Sequence, residues 1–286
     1  MKVLVTVQNK GGVGKTTVCR LLSEFLARHG KRVLGIDLDS QCNFSRRFLT
    51  MDIDSTDPDG IMPPIHPDFD DSDLDWDGRS SSADIYYSGQ VMPYSTNING
   101  MQLLPGNGSQ LRSVELVRSE EVKEKVHDRL HIFLSQKEVQ ERYDVVVIDT
   151  SPSKGPLTIS AMRAATHIII PTTMEPQTIE GLHGMLQLWR RETKKRKRGD
   201  ELKIIGILAN MFRKGVALHE GLYQTLATDP GIVNFLLPMK LGQRIAFAES
   251  DHHMANPQSV FGLSDKDPAR IEAEFICQYI MEKLYS

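Results

Sequence analysis

A short glycine-rich stretch near the start of the chain constrains the fold more than any other feature. The sequence of residues 8–17 is QNKGGVGKTT. It follows the apolar run of residues 3–7 and precedes apolar residues at helical spacing, so it predicts a strand, a glycine loop and a helix. The helix is expected to run from about Lys15 to Arg28, with Gly30 at its C-terminal cap.

A loop of this kind binds phosphate groups. Its glycines let the backbone approach a phosphate chain, and the N–H groups and the positive end of the helix dipole attract the negative charge. Lys15 can reach the terminal phosphates, and the Thr16 hydroxyl can ligate Mg²⁺. Asn9 stands where the strict pattern has glycine, a mild departure because asparagine also tolerates a left-handed backbone.

Lys10 is a second lysine that an ordinary phosphate loop does not need. Its side chain sits where it could leave its own site and reach a nucleotide held by a facing subunit. The alternative is a glycine turn with two solvated lysines, which the flanking strand and helix disfavour.

Composition narrows the class of protein. With 286 residues, 40% hydrophobic and 25% charged, the chain is an ordinary globular protein of one large α/β domain or two small ones. No apolar run approaches the roughly 18 residues that span a bilayer, so a cytoplasmic location is expected. The three cysteines share no close spacing and predict free thiols.

Charge is unevenly distributed along the chain. Residues 51–78 contain ten aspartates and no lysine, arginine or glutamate. Since the whole chain carries −3, the other residues together carry +7. This basic body permits a nucleic-acid partner. Residues 51–83 are rich in Pro, Gly, Ser and Asp and predict a flexible surface insertion.

Carboxylates lie at the ends of two predicted strands. Residues 32–37 end at Asp37 and are followed by Asp39, and the buried strand 143–149 ends at Asp149. The carboxyl ends of parallel strands form the ligand-binding edge of an α/β sheet. Asp39 is the better placed to orient a water or an outer Mg²⁺ ligand, and Asp37 could be largely structural. Asp149 is expected to hold Mg²⁺ through water, with residues 151–153 as a switch loop that senses the γ-phosphate.

The remaining pattern predicts further elements. It indicates helices over residues 113–141, 217–227 and 267–284, and strands over 202–208 and 233–238. The helix after residue 171 ends in seven cations within residues 190–198. Phosphate-backbone contact and a solvated helix end both remain open for this run.

Three segments together resemble the ParA-type partition ATPases, a deviant phosphate-loop family of the ParA/MinD superfamily. They are residues 10–17, 37–43 and 147–153, and the likeness covers nearly the whole chain except about 51–83. The resemblance implies an α/β P-loop NTPase fold, with a mostly parallel twisted sheet flanked by helices on both faces. It implies one ATPase domain over residues 1–286.

The resemblance also implies a function. Two subunits would sandwich two ATP molecules, with Lys10 crossing to the partner's phosphates and Asp39 positioning the hydrolytic water of a weak intrinsic ATPase. The ATP-bound homodimer would bind double-stranded DNA non-specifically and so associate with the nucleoid, not with a membrane. A centromere-bound, ParB-like adaptor would stimulate hydrolysis and release it.

The implied site residues form four groups. The catalytic residues are Lys10, Lys15 and Asp39, and the Mg²⁺ residues are Thr16, Asp39 and Asp149. The nucleotide-binding residues are Lys10, Gly11, Gly12, Val13, Gly14, Lys15, Thr16, Thr17 and Asn210. The DNA-contacting candidates are Arg213, Lys214 and Arg244, with Lys194, Lys195, Arg196, Lys197 and Arg198 in addition.

Two other functions remain as alternatives. A membrane-associated spatial regulator resembling MinD needs a basic amphipathic C-terminal helix, which the ending of this sequence lacks. A related ATPase that positions another cargo is not separated from a partition protein by the sequence.

Overall fold

The structure is a computed structural model, and it describes residues 1–57, 60–70, 72, 75–250 and 257–286. Within these ranges, eight strands form one sheet in the order β10-β9-β8-β1-β7-β2-β6-β5, and all neighbours are parallel except β5 and β6. The strands of the sheet are β1 (Lys2–Thr6), β2 (Val33–Leu38), β5 (Tyr94–Ser95), β6 (Met101–Leu104), β7 (Val145–Thr150), β8 (His167–Thr173), β9 (Lys203–Phe212) and β10 (Leu236–Gly242).

Helices connect the parallel strands, as such a sheet requires. They are α1 (Lys15–Arg28), α2 (Asn43–Phe48), α3 (Asp84–Tyr87), α4 (Gly108–Glu115), α5 (Glu120–Leu134), α6 (Lys137–Arg142), α7 (Pro156–Ala164), α8 (Pro176–Lys194), α9 (Ala217–Thr228), α10 (Ile245–Glu249) and α11 (Pro268–Tyr285). None of these helices is long and apolar enough to cross a membrane.

Both faces of the sheet are covered by helices. Val3 and Val5 pack in one buried cluster with residues of α5, α7 and α8, whereas Leu4 packs in a second cluster with residues of α1 and α11. Alternate residues of a strand point to opposite faces, so a strand buried on both sides is apolar throughout. The predicted fold class, a mostly parallel sheet flanked by helices on both faces, is confirmed.

The first helix has the predicted bounds, and Gly30 follows its end with φ +75°. The prediction of one helix over residues 113–141 is wrong, because the chain forms α4, α5 and α6 there. Apolar residues continue at helical spacing through the breaks, so periodicity alone did not show where each helix ends. The strand predicted over 202–208 extends to Phe212 as β9, and the strand predicted over 233–238 lies at Leu236–Gly242.

The acidic segment 51–83 has structure of its own in its described part. Strands β3 (Asp52–Asp54) and β4 (Gly60–Met62) form an antiparallel hairpin. The segment ends at the body of the protein, where the buried Ser82 donates from its backbone N–H to the Pro105 carbonyl at 2.7 Å. Its hydroxyl donates to the carbonyl of Asp37. The insertion is therefore anchored beside the acidic end of β2.

Candidate nucleotide-binding site

The glycine loop joins the end of β1 to the start of α1. Gly12 and Gly14 have φ of +73° and +84°, a region that favours glycine. At Gly14 a side chain is also excluded by space, because a Cβ would lie 2.2 Å from the Asn210 amide nitrogen. The loop leads directly into the N-terminus of α1, where free N–H groups and the helix dipole favour an anion.

Lys15 points into this loop. The residue is 6% exposed, and its ammonium lies 3.5 Å from the carbonyl of Lys10. Burial lowers the pKa of Lys15, while the nearby carboxylates of Asp149 and Asp39 act in the opposite direction. A buried ammonium beneath a cradle of backbone N–H groups suits the terminal phosphates of a nucleotide.

Two carboxylates face each other across neighbouring strands. Asp37 of β2 and Asp149 of β7 are direct partners in the parallel register, and both are fully buried. Burial raises the pKa of each carboxyl, and the nearby charge of Asp37 raises the pKa of Asp149 further. Asp149 accepts a hydrogen bond of 2.6 Å from the Thr16 hydroxyl.

The Thr16 and Asp149 pair has the chemistry of a magnesium site. Hydroxyl and carboxylate oxygens are ligands for Mg²⁺, and a cation would relieve the repulsion between the buried carboxylates. In the part of the chain that the structure describes, no group of three or more acidic, His or Cys side chains converges on a metal position. A few protein oxygens completed by water and substrate phosphates are the usual setting for this ion.

Asp37 and Asp39 differ in how their oxygens are used. Asp37 accepts from the backbone N–H and hydroxyl of Ser45, at 2.8 and 2.7 Å, and from the N–H of Asp39 at 3.0 Å. It therefore fixes the start of α2 and the turn after β2. Asp39 is half-buried and accepts from the Gln41 N–H at 3.0 Å. Its carboxylate remains accessible from the nucleotide edge of the sheet.

Lys10 points away from the loop that carries it. Its side chain is exposed, and its ammonium donates to the Gln177 side-chain oxygen at 3.0 Å. The two lysines of the loop are thus separated, with Lys15 turned inward and Lys10 held outside against the first turn of α8.

Asn210 supports the loop from β9. Its amide nitrogen donates to the Val13 carbonyl at 2.7 Å, and its oxygen accepts the N–H of Met211 at 2.9 Å. Asn210 also lines a cavity of about 590 Å³ that begins at Thr17 and continues along the apolar side chains of Leu241 and Phe247. An apolar cavity next to a phosphate loop suits the base and sugar of a nucleotide.

The loop after β7 is tied to α4. The Ser153 hydroxyl donates to the Glu115 carboxylate, which also accepts the N–H of Leu157 at 3.2 Å. The predicted switch loop at residues 151–153 follows the end of β7 and is held by a carboxylate from α4.

The DNA-contacting candidates fall into two groups at opposite edges of the sheet. Arg213, Lys214 and Arg244 follow the carboxyl ends of β9 and β10, on the same edge as the phosphate loop, and all three are exposed. Helix α8 begins after β8 at this edge and runs back, so Lys194 and the residues after it lie at the opposite edge, just before β9 begins.

The second group is not uniform. Lys194, Lys197 and Arg198 are exposed, and Lys195 pairs with Glu192 at 3.3 Å. Arg196 instead has a side chain only 10% exposed.

The Arg196 guanidinium donates to the carbonyls of Met162, Arg163 and Ala165 at the end of α7. These bonds complete a helix C-terminus, which leaves carbonyls without partners in its own helix. Arg196 thus differs from the other DNA candidates, which are all exposed, although Lys195 and Arg244 also pair with the carboxylates of Glu192 and Glu272.

Replacing Arg196 with alanine is expected to lower the free energy of unfolding by about 1–3 kcal/mol, because buried carbonyls lose their donors. Urea denaturation measures the change. Lys197→Ala is the matched control, since an exposed substitution should stay within about 0.5 kcal/mol. Equal stabilities of the two variants would contradict this role of Arg196.

The sheet, the glycine loop and the acidic strand ends together define the fold of a P-loop nucleoside triphosphatase. A family model described as AAA domain matches residues 1–204. An uncharacterized protein of Pseudomonas putida is 32% identical over 252 residues, which cover 87% of this chain and 84% of that protein. The sporulation initiation inhibitor protein Soj of Bacillus subtilis is 30% identical over 210 residues, covering 73% of this chain and 72% of Soj.

A solved structure has the same fold. A Cyanothece McdA variant in complex with ATP superposes with a TM-score of 0.75 at 17% identity, covering 99% of this chain and 96% of that one. The chain belongs to the ParA-type P-loop ATPases, as its motifs predicted.

Several residues of the site carry no sequence signal. Gln8 is fully buried, donates to Thr172 at 3.1 Å and accepts the N–H of Asn9. Glu115 and Gln177 reach the site from distant helices. Only the fold brings Glu115 and Gln177 to the loop, and no motif in the sequence marks them, whereas Gln8 stands at the start of the glycine-rich stretch itself.

Proposed function

We propose that this chain is an ATP-hydrolysing DNA partition protein that acts as a cytoplasmic, nucleoid-bound switch, with residues 1–286 as one ATPase domain. The observation that carries the proposal is the pair of lysines on one loop, with Lys15 buried in the cradle and Lys10 exposed outside it. An ordinary phosphate loop needs only the buried lysine, Lys15.

The nucleotide is ATP with Mg²⁺. The backbone of residues 11–17 and the Lys15 ammonium bind the phosphates, and Asn210 holds the loop at Val13 beside the apolar cavity. Thr16 and Asp149 hold the metal ion, which supplies charge neutralisation at the phosphates when bound. The Asp39 carboxylate orients the water that attacks the terminal phosphate. Residues 151–153 sense whether that phosphate is present.

ATP joins two subunits face to face, and Lys10 of each reaches the phosphates held by its partner. Lys10→Ala is expected to retain ATP binding and to lose ATP-induced dimerisation, because the lost contact is made only across the interface. Sedimentation velocity with ATP measures the dimer. Gln177→Ala is the control, since it frees Lys10 without removing its charge. A Lys10→Ala protein that dimerises like wild type would refute the cross-subunit role.

The dimer binds double-stranded DNA without sequence preference through cations at the nucleotide edge. The proposed contacts are Arg213, Lys214 and Arg244. These residues lie next to the nucleotide, which is where a DNA contact that depends on the nucleotide is expected. A ParB-like adaptor then stimulates hydrolysis and releases the dimer. The test is DNA binding with ATP, ADP and no nucleotide, at several salt concentrations. ATP-selective binding that weakens steeply with salt is expected.

The two basic groups are expected to differ in this assay. The double variant R213A with R244A should weaken DNA binding at least about 10-fold and reduce the salt slope by about 2, or about one per lost phosphate contact. The double variant K197A with R198A, at the opposite edge, is the matched control and should change little. ATP affinity must be measured for both, since Arg213 and Arg244 also line the apolar cavity. If K197A with R198A instead weakened DNA binding more than R213A with R244A, the DNA surface would lie at the C-terminal end of α8.

The DNA-binding test, combined with a liposome flotation test, also distinguishes the alternative functions. Absence of DNA binding with ATP, together with ATP-dependent flotation on anionic liposomes, would favour a MinD-like regulator. Absence of both would favour an ATPase that positions another cargo.

A further inference from the structure

A second cavity lies at the carboxyl ends of β9 and β10, next to the apolar one. It has a volume of about 540 Å³. Four basic and two acidic side chains line it, and they are Arg213, Lys214, Lys240, Arg244, Glu220 and Glu272. Because the cations outnumber the carboxylates, the pairing of the two carboxylates decides which cations are available to an anion outside the protein.

Glu272 of α11 engages the guanidinium group of Arg244 with both of its carboxylate oxygens. The Arg244 Nε donates to Oε2 at 3.1 Å, and Nη2 donates to Oε1. The Gly242 N–H also donates to Oε2, at 2.9 Å, which fixes the carboxylate against the end of β10. Hydrogen bonding to Glu272 raises the pKa of Arg244, and the nearby charge of Asp267 acts in the same direction. The pair is therefore geometrically specific as well as oppositely charged.

A phosphate of DNA would bind the same donors of Arg244. A guanidinium group binds phosphate oxygens through the fork of N–H groups that it also presents to a carboxylate. Nε and Nη2 of Arg244 form one such fork, and the Glu272 carboxylate fills it. A phosphate can use this fork only after the ion pair opens, and the charge of the carboxylate repels the phosphate as it approaches.

Arg213, the other arginine proposed to contact DNA, is held in a different way. Its Nε donates to the side-chain oxygen of Gln243. This partner is a neutral amide, so it positions the guanidinium group without repelling a phosphate. The two arginines are therefore unequal, and only the contact of Arg244 with DNA is opposed by a carboxylate that binds it directly.

The second carboxylate of the cavity has a different partner. Glu220 pairs with Lys240 at 3.4 Å. The Lys240 ammonium also lies 4.0 Å and 3.8 Å from the ring centres of Phe212 and Tyr223, so the two rings hold it in place as well. Lys240 is not one of the residues proposed to contact DNA, which makes this pair an internal comparison for the first.

We propose that Glu272 is a competitor of DNA phosphate for Arg244 that is built into the fold and lowers the affinity of the chain for DNA. This inference rests on the proposed DNA-binding role. The ion pair is partly exposed, with 37% of the Arg244 side chain and 28% of the Glu272 side chain accessible. Solvent screens a pair at this exposure, so the pair can open when a phosphate arrives. Glu272 thus adjusts the affinity for DNA and does not prevent binding.

The test is the substitution Glu272→Gln, which keeps an oxygen that can accept the Gly242 N–H but removes the negative charge. The full chain with ATP and Mg²⁺ is titrated onto a fluorescent duplex of arbitrary sequence at low salt. The Kd for DNA is expected to fall about 5-fold, because the phosphate no longer displaces a carboxylate. The thermal midpoint and the ATP affinity are measured in parallel, since Gly242 and Arg244 also line the apolar cavity.

Glu220→Gln is the matched control, because Glu220 is a half-buried carboxylate of the same cavity and its removal changes the net charge equally. It should change the Kd for DNA less than about 2-fold. A double-mutant cycle tests the route of the effect. In an Arg244→Ala background, Glu272→Gln should leave the Kd unchanged, because the competition acts through Arg244.

Three results would overturn the inference while leaving the proposed DNA binding in place. They are an unchanged or higher Kd in Glu272→Gln, equal tightening by Glu220→Gln, and tightening that persists in the Arg244→Ala background. Failure of both wild type and Glu272→Gln to bind DNA with ATP would instead overturn the proposed function and this inference together.

Discussion

Replacing Lys15 with alanine is expected to abolish ATP binding, with a loss of affinity of at least about 100-fold. Each charge-assisted hydrogen bond is worth about 1.5–3 kcal/mol, and the buried Lys15 ammonium is placed to make more than one to the terminal phosphates. Titration of a fluorescent ATP analogue measures the loss. Lys137→Ala, an exposed lysine on α6, is the control and should bind as wild type does.

The same variant should remain folded. Burial already disfavours the charged form of Lys15 and lowers its pKa, so the empty site gains little stability from the ammonium. The thermal midpoint without nucleotide should therefore stay close to that of wild type, while the upward shift on adding ATP disappears. An ATP-dependent shift of normal size in Lys15→Ala would refute the assignment.

Replacing Asp39 with alanine is expected to slow ATP hydrolysis by about 10²–10⁴-fold and to leave ATP affinity nearly unchanged. The Asp39 carboxylate is accessible at the nucleotide edge and is not needed to hold a helix, so its loss removes a base or water-orienting group and little else. The ATP-bound state then persists, and the protein should stay on DNA longer. Single-turnover hydrolysis and the dissociation rate from DNA measure the two effects.

A substitution of Asp37 serves as the comparison for this experiment. Because Asp37 accepts the N–H and hydroxyl of Ser45, its replacement should disturb α2 and lower stability as well as activity. Asp39→Asn should behave as Asp39→Ala does, since the amide keeps the shape but not the charge. Hydrolysis at the wild-type rate in Asp39→Ala would remove this residue from the mechanism.

Arg196 and Lys197 have different roles that the sequence alone does not predict. The two residues are adjacent cations in one basic run, and the pattern treats them alike. In the folded chain Arg196 completes the end of α7 and Lys197 is exposed. The difference depends on where the end of α7 lies relative to the end of α8, which is a contact between segments about 30 residues apart in sequence.

The same reasoning applies to the helices between β6 and β7. Apolar spacing over residues 113–141 predicted the helical conformation, but not the two breaks, and Leu116 and Val122 of that pattern are exposed. The bounds of α1 were predictable because a glycine loop fixes its start and Gly30 fixes its end.

The sequence by itself determined the fold class, the family and the phosphate loop. These depend on local chemistry: glycines that permit a positive φ, a lysine and threonines at fixed spacing, and apolar strands that end in aspartate. Only the tertiary structure decided which distant groups meet at the loop. The register of β2 against β7 places Asp37 opposite Asp149, β9 brings Asn210 to Val13, and α11 brings Glu272 to Arg244. These contacts depend on how the strands and helices pack. Because packing involves the whole chain, no single segment of the sequence predicts them.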